Sequence, residues 1–132
     1  MQAASIDIKD LLIDESSLGL AFATNLFIGK EPSSPNNCVT IFDTASFPPM
    51  LTLDRNGNYE YPSVQIRIRN TSYQTAWDLA NTIKDLLHGS GQVTMENGTL
   101  YTSIICMSTP TLLDWDENNR ARFIINFNIQ RR

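Results

Sequence analysis

An α+β two-layer sandwich is the fold class that the sequence predicts: a mostly antiparallel sheet packed with two helices, plus a projecting β-hairpin. Three observations predict it. Runs with an apolar residue at every second position, such as Val64, Ile66, Ile68 and Phe123, Ile125, Phe127, Ile129, have the period of half-buried strands. Two other stretches carry apolar residues at helical spacing behind a Ser or Thr that can cap them. Asn-Gly pairs at Asn56-Gly57 and Asn97-Gly98 stand between alternating runs, where type I′ turns belong. Sheets with one apolar face and helices with one apolar stripe bury each other, which gives two layers.

Taken in order, the first helix spans Ser5 to about Ser17. Ser5 caps it, Asp7 favours its positive end, Ile8, Leu11, Leu12 and Glu15 follow its spacing, and Gly19 ends it. Leu20–Lys30 mixes Phe22, Leu26, Phe27 and Ile28 without a clear period, and GKEPSSPNN after it is a surface loop. Cys38–Asp43 reads as a strand with Val39 and Ile41 on one side and Thr40 and Phe42 on the other. Residues 44–62 open with the rigid Phe47-Pro48-Pro49 and centre on Asn56-Gly57. Leu51 and Leu53 before that turn, and Tyr59 and Tyr61 after it, alternate with polar residues as in a projecting hairpin. Such an arm needs a surface to cover it, either its own sheet or another protein.

Residues 62–89 hold two periods joined by a cap. Val64, Ile66 and Ile68 alternate with Gln65, Arg67 and Arg69. Thr71 or Ser72 then caps a helix whose stripe is Tyr73, Ala76, Trp77, Ala80, Ile83 and Leu87, with Gly89 at its left-handed end. Trp77 therefore reads as core. His88, the only histidine, lies in the last turn, where it would serve the helix dipole and the free carbonyls. Gln92–Glu96 and Thr99–Ser108 flank Asn97-Gly98, the second running toward Pro110. Thr111–Trp115 turns through Asp116-Glu117-Asn118-Asn119 into Arg122–Gln130.

With 132 residues, 42% hydrophobic, the chain is expected to form one domain over 1–132 with a core that needs neither disulfide nor metal. It has no apolar run near the ~20 residues of a membrane span, and MQAASIDIKDLL lacks the pattern of a signal peptide, so the chain is expected to stay in the cytosol. Cys38 and Cys106 show no metal spacing and read as small buried hydrophobes. Residues 1–60 carry eight acids and three bases, residues 61–132 six acids and seven bases, and the net charge is −4. The bases form no cluster, which argues against non-specific nucleic-acid binding by the free chain.

Catalytic motifs are missing. The single histidine has no partner for a triad, and GxGxxG, GxxxxGK[ST], HExxH and CxxC do not occur, so no catalytic residue, cofactor or metal site is expected. Asp114, Asp116 and Glu117 read as a solvated hairpin tip rather than a cation site. Trp115 beside them is the better candidate for an exposed aromatic anchor.

Three stretches, LFIGKEPSSPNNCVTIFDTASFPP, YPSVQIRIRNTSYQTAWDLANTIKDLLHG and LLDWDENNRARFIINFNIQ, resemble the phage minor capsid and tail-terminator family, small neck proteins of long-tailed bacteriophages. The likeness runs from the first helix to the end of the chain, and its most specific part is the strand with Gln65, Arg67 and Arg69 followed at once by the helix with Tyr73 and Ala76. It implies a homo-oligomeric ring, typically a hexamer, that caps the head-proximal end of the tail tube. Such a ring stops tube growth, docks the head connector, and passes DNA without binding it specifically. The protein would then belong to the tail-neck region of the virion, after assembly in the host cytoplasm. On this reading the assembly interface draws on Met50, Leu51, Leu53, Tyr59, Tyr61, Arg67, Arg69 and Trp115, and Asp7, Asp10 and Asp14 are candidates to line the pore. The alternatives are a head-completion or stopper protein on the portal side of the neck, or a small oligomeric enzyme with an Asp/Arg site.

Overall fold

The computed structural model describes residues 1–50 and 58–132, so Leu51, Leu53 and the Asn56-Gly57 turn lie outside the described residues. Its elements are α1 (Ala4–Asp14), a single 3-10 turn (Ser16–Leu18), β1 (Leu26–Ile28), β2 (Cys38–Thr44), β3 (Ser63–Asn70), α2 (Tyr73–Leu87), β4 (Val93–Thr94), β5 (Leu100–Cys106), β6 (Thr111–Trp115) and β7 (Ala121–Arg131). They form the α+β sandwich that the pattern predicts. The strands make one sheet in the order β1-β2-β3-β7-β5-β4, with β6 also on β7. Every pairing is antiparallel except β1 with β2.

The long strand β7 organises the sheet because it alternates buried and half-buried residues from end to end. One of its edges carries β3. The other carries β5 against Phe127–Arg131 and β6 against Ala121–Ile124, so β5 and β6 are two parts of one broken strand. Register does the rest: Val39, Ile68 and Phe123 stand directly opposite one another, as do Ile41, Ile66 and Ile125, and all six are buried. On this face α2 lays Ala76, Ala80, Ile83 and Leu87 over β3, β7 and β5, and α1 lays Ala4, Ile8 and Leu12 over β1 and β2.

Several expectations change. Ser5 does not cap α1, which starts one residue earlier with no side-chain cap of its own. Instead its N–H donates to Asp43 Oδ1 at 3.0 Å and its hydroxyl to Asp43 Oδ2 at 2.6 Å, so a carboxylate at the end of β2 satisfies the helix start. The helix stops at Asp14, and the 3-10 turn carries the chain to Gly19, whose φ of 66° is the left-handed stop that the glycine implied. β1 is a strand that periodicity missed. Three residues are too few for a period to show, and the segment is held by its pairing with β2.

The α2 stripe was drawn too wide. Ser72 is the cap, accepting the Thr75 N–H at 3.3 Å, but Tyr73 and Trp77 remain 46% and 43% exposed beside the line of Ala76, Ala80, Ile83 and Leu87. His88 has a further role: its Nδ1 accepts the N–H of Cys106 at 2.9 Å, tying the helix end to β5. Truncating Ile66, fully buried at the sheet centre, is expected to cost about 2–5 kcal/mol. Trp77→Ala should cost about 1 kcal/mol or less, in keeping with a surface position. Urea denaturation of both variants checks the assignment, since a Trp77→Ala loss as large as that of Ile66→Ala would put Trp77 back in the core.

Candidate assembly surfaces

The sheet face away from the helices is built around a charge problem. Arg69 on β3 and Arg122 on β7 are direct cross-strand partners, and like charges in that position repel. Glu31 resolves it: Oε1 accepts Arg69 Nη1 at 3.3 Å and Arg122 Nη1 at 3.1 Å. Glu31 gets there because β1 and β2 are parallel and the chain between them must cross over the sheet. Here the crossover is the GKEPSSPNN loop rather than a helix. Arg69 also donates to the carbonyls of Asn36 and Pro35, and Arg120 to that of Ser33 at 2.7 Å, so three arginines pin the loop down.

The turn between β6 and β7 supplies the remaining anions. Asp116 accepts the N–H groups of Asn118 and Arg120, each at 2.9 Å, and pairs with Arg120 Nε at 2.7 Å, while Asp114 takes a two-pronged contact from Arg122. Asp116 is opposed by burial, yet these N–H groups and the Arg120 guanidinium outweigh it and hold its carboxyl below the usual range. The hydrogen bonds from Arg122 do the same for Asp114. Two of the three acids taken for a solvated tip are therefore structural, and Glu117 is the one left exposed to solvent. Arg69, expected at an assembly interface, is buried inside the protomer by this network. Arg67 is half-buried over the ring of Phe42 at 4.8 Å, its Nη2 bonded to Gln65.

Asp7 also moves inward. It is fully buried, accepting the hydroxyl of Tyr101 and lying 3.7 Å from Arg131 Nη1, so it cannot line a pore. Burial first, and then Asp7 as acceptor, push the Tyr101 phenol well above its ordinary value, which keeps the proton on the tyrosine. Asp10 and Asp14 stay at the surface, Asp10 paired with Lys9 at 3.0 Å, and both line a cleft of about 530 Å³ between α1 and the turn at Met95–Asn97. Among the described residues no group of His, Cys, Asp and Glu is placed to hold a metal ion.

The base of the arm is tied to the sheet. Met50 donates its N–H to Tyr59 at 3.0 Å in an antiparallel bridge, and Glu60 exchanges backbone hydrogen bonds with Arg131 at the end of β7. Phe47 and Tyr61 lean toward Ile105 and Asn128 of the same sheet, lining a small hollow of about 150 Å³ with them. Trp115, as expected, is exposed at 49%. It stacks on Tyr73 with ring centroids 6.1 Å apart, and Tyr73 meets buried Phe123 edge-on at 5.0 Å.

A family model described as bacteriophage tail terminator protein matches residues 6–132. The chain belongs to the bacteriophage tail terminator family. This tail terminator chain is thus a structural protein of the phage tail, in keeping with a molecule built from packing and ion pairs. A solved chain from the virion of a native gene transfer agent particle has the same fold, with a TM-score of 0.67 at 14% identity, covering 98% of this chain and 94% of that one. No curated protein matches.

The tail terminator's clamp gives two expectations. Arg69→Met leaves Glu31 short of one cation in a buried place, which should cost about 3–5 kcal/mol and be read as a lower urea midpoint. The second concerns pH. The folded-state values of Asp114 and Asp116 are depressed, so the stability they add is present above the ordinary carboxylate pKa of about 4 and is lost as pH falls through the folded-state value. Stability measured against pH should therefore drop below about pH 4, and Asp116→Asn should flatten that drop.

Proposed function

We propose that this protein forms a ring that closes the head-proximal end of the tail tube and offers its outer surface to the head connector. The family match over residues 6–132 carries the reading. Its physical logic is that of a stopper made by shape: one contact repeated head-to-tail closes when the rotation per subunit is right, and a closed ring whose outer face does not match that of a tube ring gives the next tube ring nothing to stack on. Asp14 is exposed on α1 and Asp10 is half-exposed, and such a lining would repel phosphates so that DNA slides through. The arm, with Met50, Leu51, Leu53, Tyr59 and Tyr61, packs on a neighbouring subunit or on the tail tube, since a two-stranded ribbon has no core of its own.

Tails assembled with and without the protein test this by negative-stain imaging. With it, tubes should end at a uniform length under a cap, and without it they should overgrow. Uncapped tubes in its presence, with binding to the portal instead, would make it a neck stopper. Replacing residues 51–57 by a Gly-Asn-Gly turn should leave the melting temperature nearly unchanged while abolishing capping. Unfolding on that deletion would make the arm a cover for its own sheet.

A further inference from the structure

β4 ends the sheet and is two residues long, and the chain passes from it to β5 through a turn at Met95–Gly98. Two backbone hydrogen bonds close this turn, from Gly98 N–H to Met95 O and from Met95 N–H to Thr99 O, each at 2.9 Å. So short a pairing makes the turn one of the easier parts of the sheet to open. Asn97 and Gly98 are both exposed in it, and a Cβ added to Gly98 would have no atom within 4 Å.

The Asn97 amide is held at both its oxygen and its nitrogen. Oδ1 accepts the Thr99 N–H at 3.0 Å, and Nδ2 donates to Asp7 Oδ1 at 3.4 Å. An N–H on the amide oxygen polarises Cγ and steadies the charge that develops on that oxygen when a nucleophile adds. The nucleophile at hand is the next backbone nitrogen, that of Gly98, which no side chain of its own residue crowds. Its bond to Met95 O is the brake, released whenever the turn opens.

We propose that Asn97-Gly98 is a site of spontaneous deamidation whose product disturbs the buried Asp7. Gly98 N bonds to Asn97 Cγ and the Cγ–Nδ2 bond breaks. The proton lost from Gly98 reaches the departing nitrogen through solvent, so ammonia leaves and a cyclic imide remains. Water then opens the imide at either carbonyl, giving aspartate or isoaspartate. Aspartate puts a carboxylate where an amide donor faced Asp7, and isoaspartate carries the main chain through Cγ, which lengthens the turn. Asp7 is fully buried, with Gln2, Tyr101 and Arg131 as its other partners, so a second carboxylate beside it adds repulsion and removes a donor at once. The contact that loosens is the one fixing α1 to β5, and this holds with or without a ring.

To test the site, the full folded chain is incubated in mildly alkaline buffer and mapped by peptide mass spectrometry. Asn97 should convert about tenfold or more faster than Asn118, an exposed turn asparagine followed by Asn119 instead of glycine. Conversion no faster than at Asn118 would overturn the site. The melting temperatures of Asn97→Asp and Asn97→Ala test the consequence. Aspartate can still accept the Thr99 N–H and alanine cannot, so without repulsion at Asp7 the aspartate variant would be the more stable of the two. The reverse is expected, with Asn97→Asp melting about 4 °C or more below Asn97→Ala. An Asn97→Asp chain that fails to fold where Asn97→Ala folds is the same result in stronger form. Asn97→Asp melting at or above Asn97→Ala would overturn the effect on Asp7.

Discussion

Two arginines facing each other across the central strands set much of this structure. Arg69 and Arg122 occupy adjacent positions on the same sheet face, where their repulsion has to be answered by an anion from elsewhere in the chain. Glu31 answers it, and since Glu31 lies in the crossover between β1 and β2, the same ion pairs decide that the loop lies flat on the sheet and that β1 reaches its place beside β2. Asp114 and Asp116 complete the set at the neighbouring turn. The helices take the apolar face and the charged loop takes part of the other, and each face has its own means of attachment.

Asp7, Tyr101 and Arg131 form the counterpart under the helices. There α1 is fixed to β5 and to the end of β7, and Arg131 also donates to the carbonyl of Gln2 at 2.9 Å, so the two ends of the chain meet over one buried carboxylate. A charge placed in the interior needs its partners, and here Gln2 supplies one from nearby at 2.6 Å while Tyr101 and Arg131 come from strands distant in sequence.

What could be read from the sequence was what is local. Alternation located β2, β3, β5, β6 and β7, and caps located α2, because both signals repeat over a few consecutive residues. What could not be read depends on register between distant segments. Glu31 meets Arg69 across 38 positions and Arg122 across 91, and no spacing rule joins them. The same holds for the candidate surfaces. Asp7, Asp10 and Asp14 share helical spacing, yet only the packing of Tyr101 shows that the first points inward while the others remain outside. Arg69 alternates with buried residues and so looked solvent-facing, because the crossover loop that covers it leaves no trace in strand periodicity. Trp77 was misplaced by one step on its helix, since a stripe drawn through all apolar residues includes those that only border the core. The exposure of Trp115 was legible from its acidic neighbours, but its stack on Tyr73 was not.

The borrowed start of α1 has a kinetic side. A helix whose first turn is closed by Asp43 of β2 has no stable beginning until that strand is in place, so the nucleation penalty of this short helix is met by a tertiary contact instead of a local one. Its amides should therefore gain hydrogen-exchange protection together with those of β2 rather than ahead of them. Asp43 lies next to the last residue of β2, where the chain leaves the sheet for the arm, so fraying of that strand end and opening of the helix start are one cooperative event.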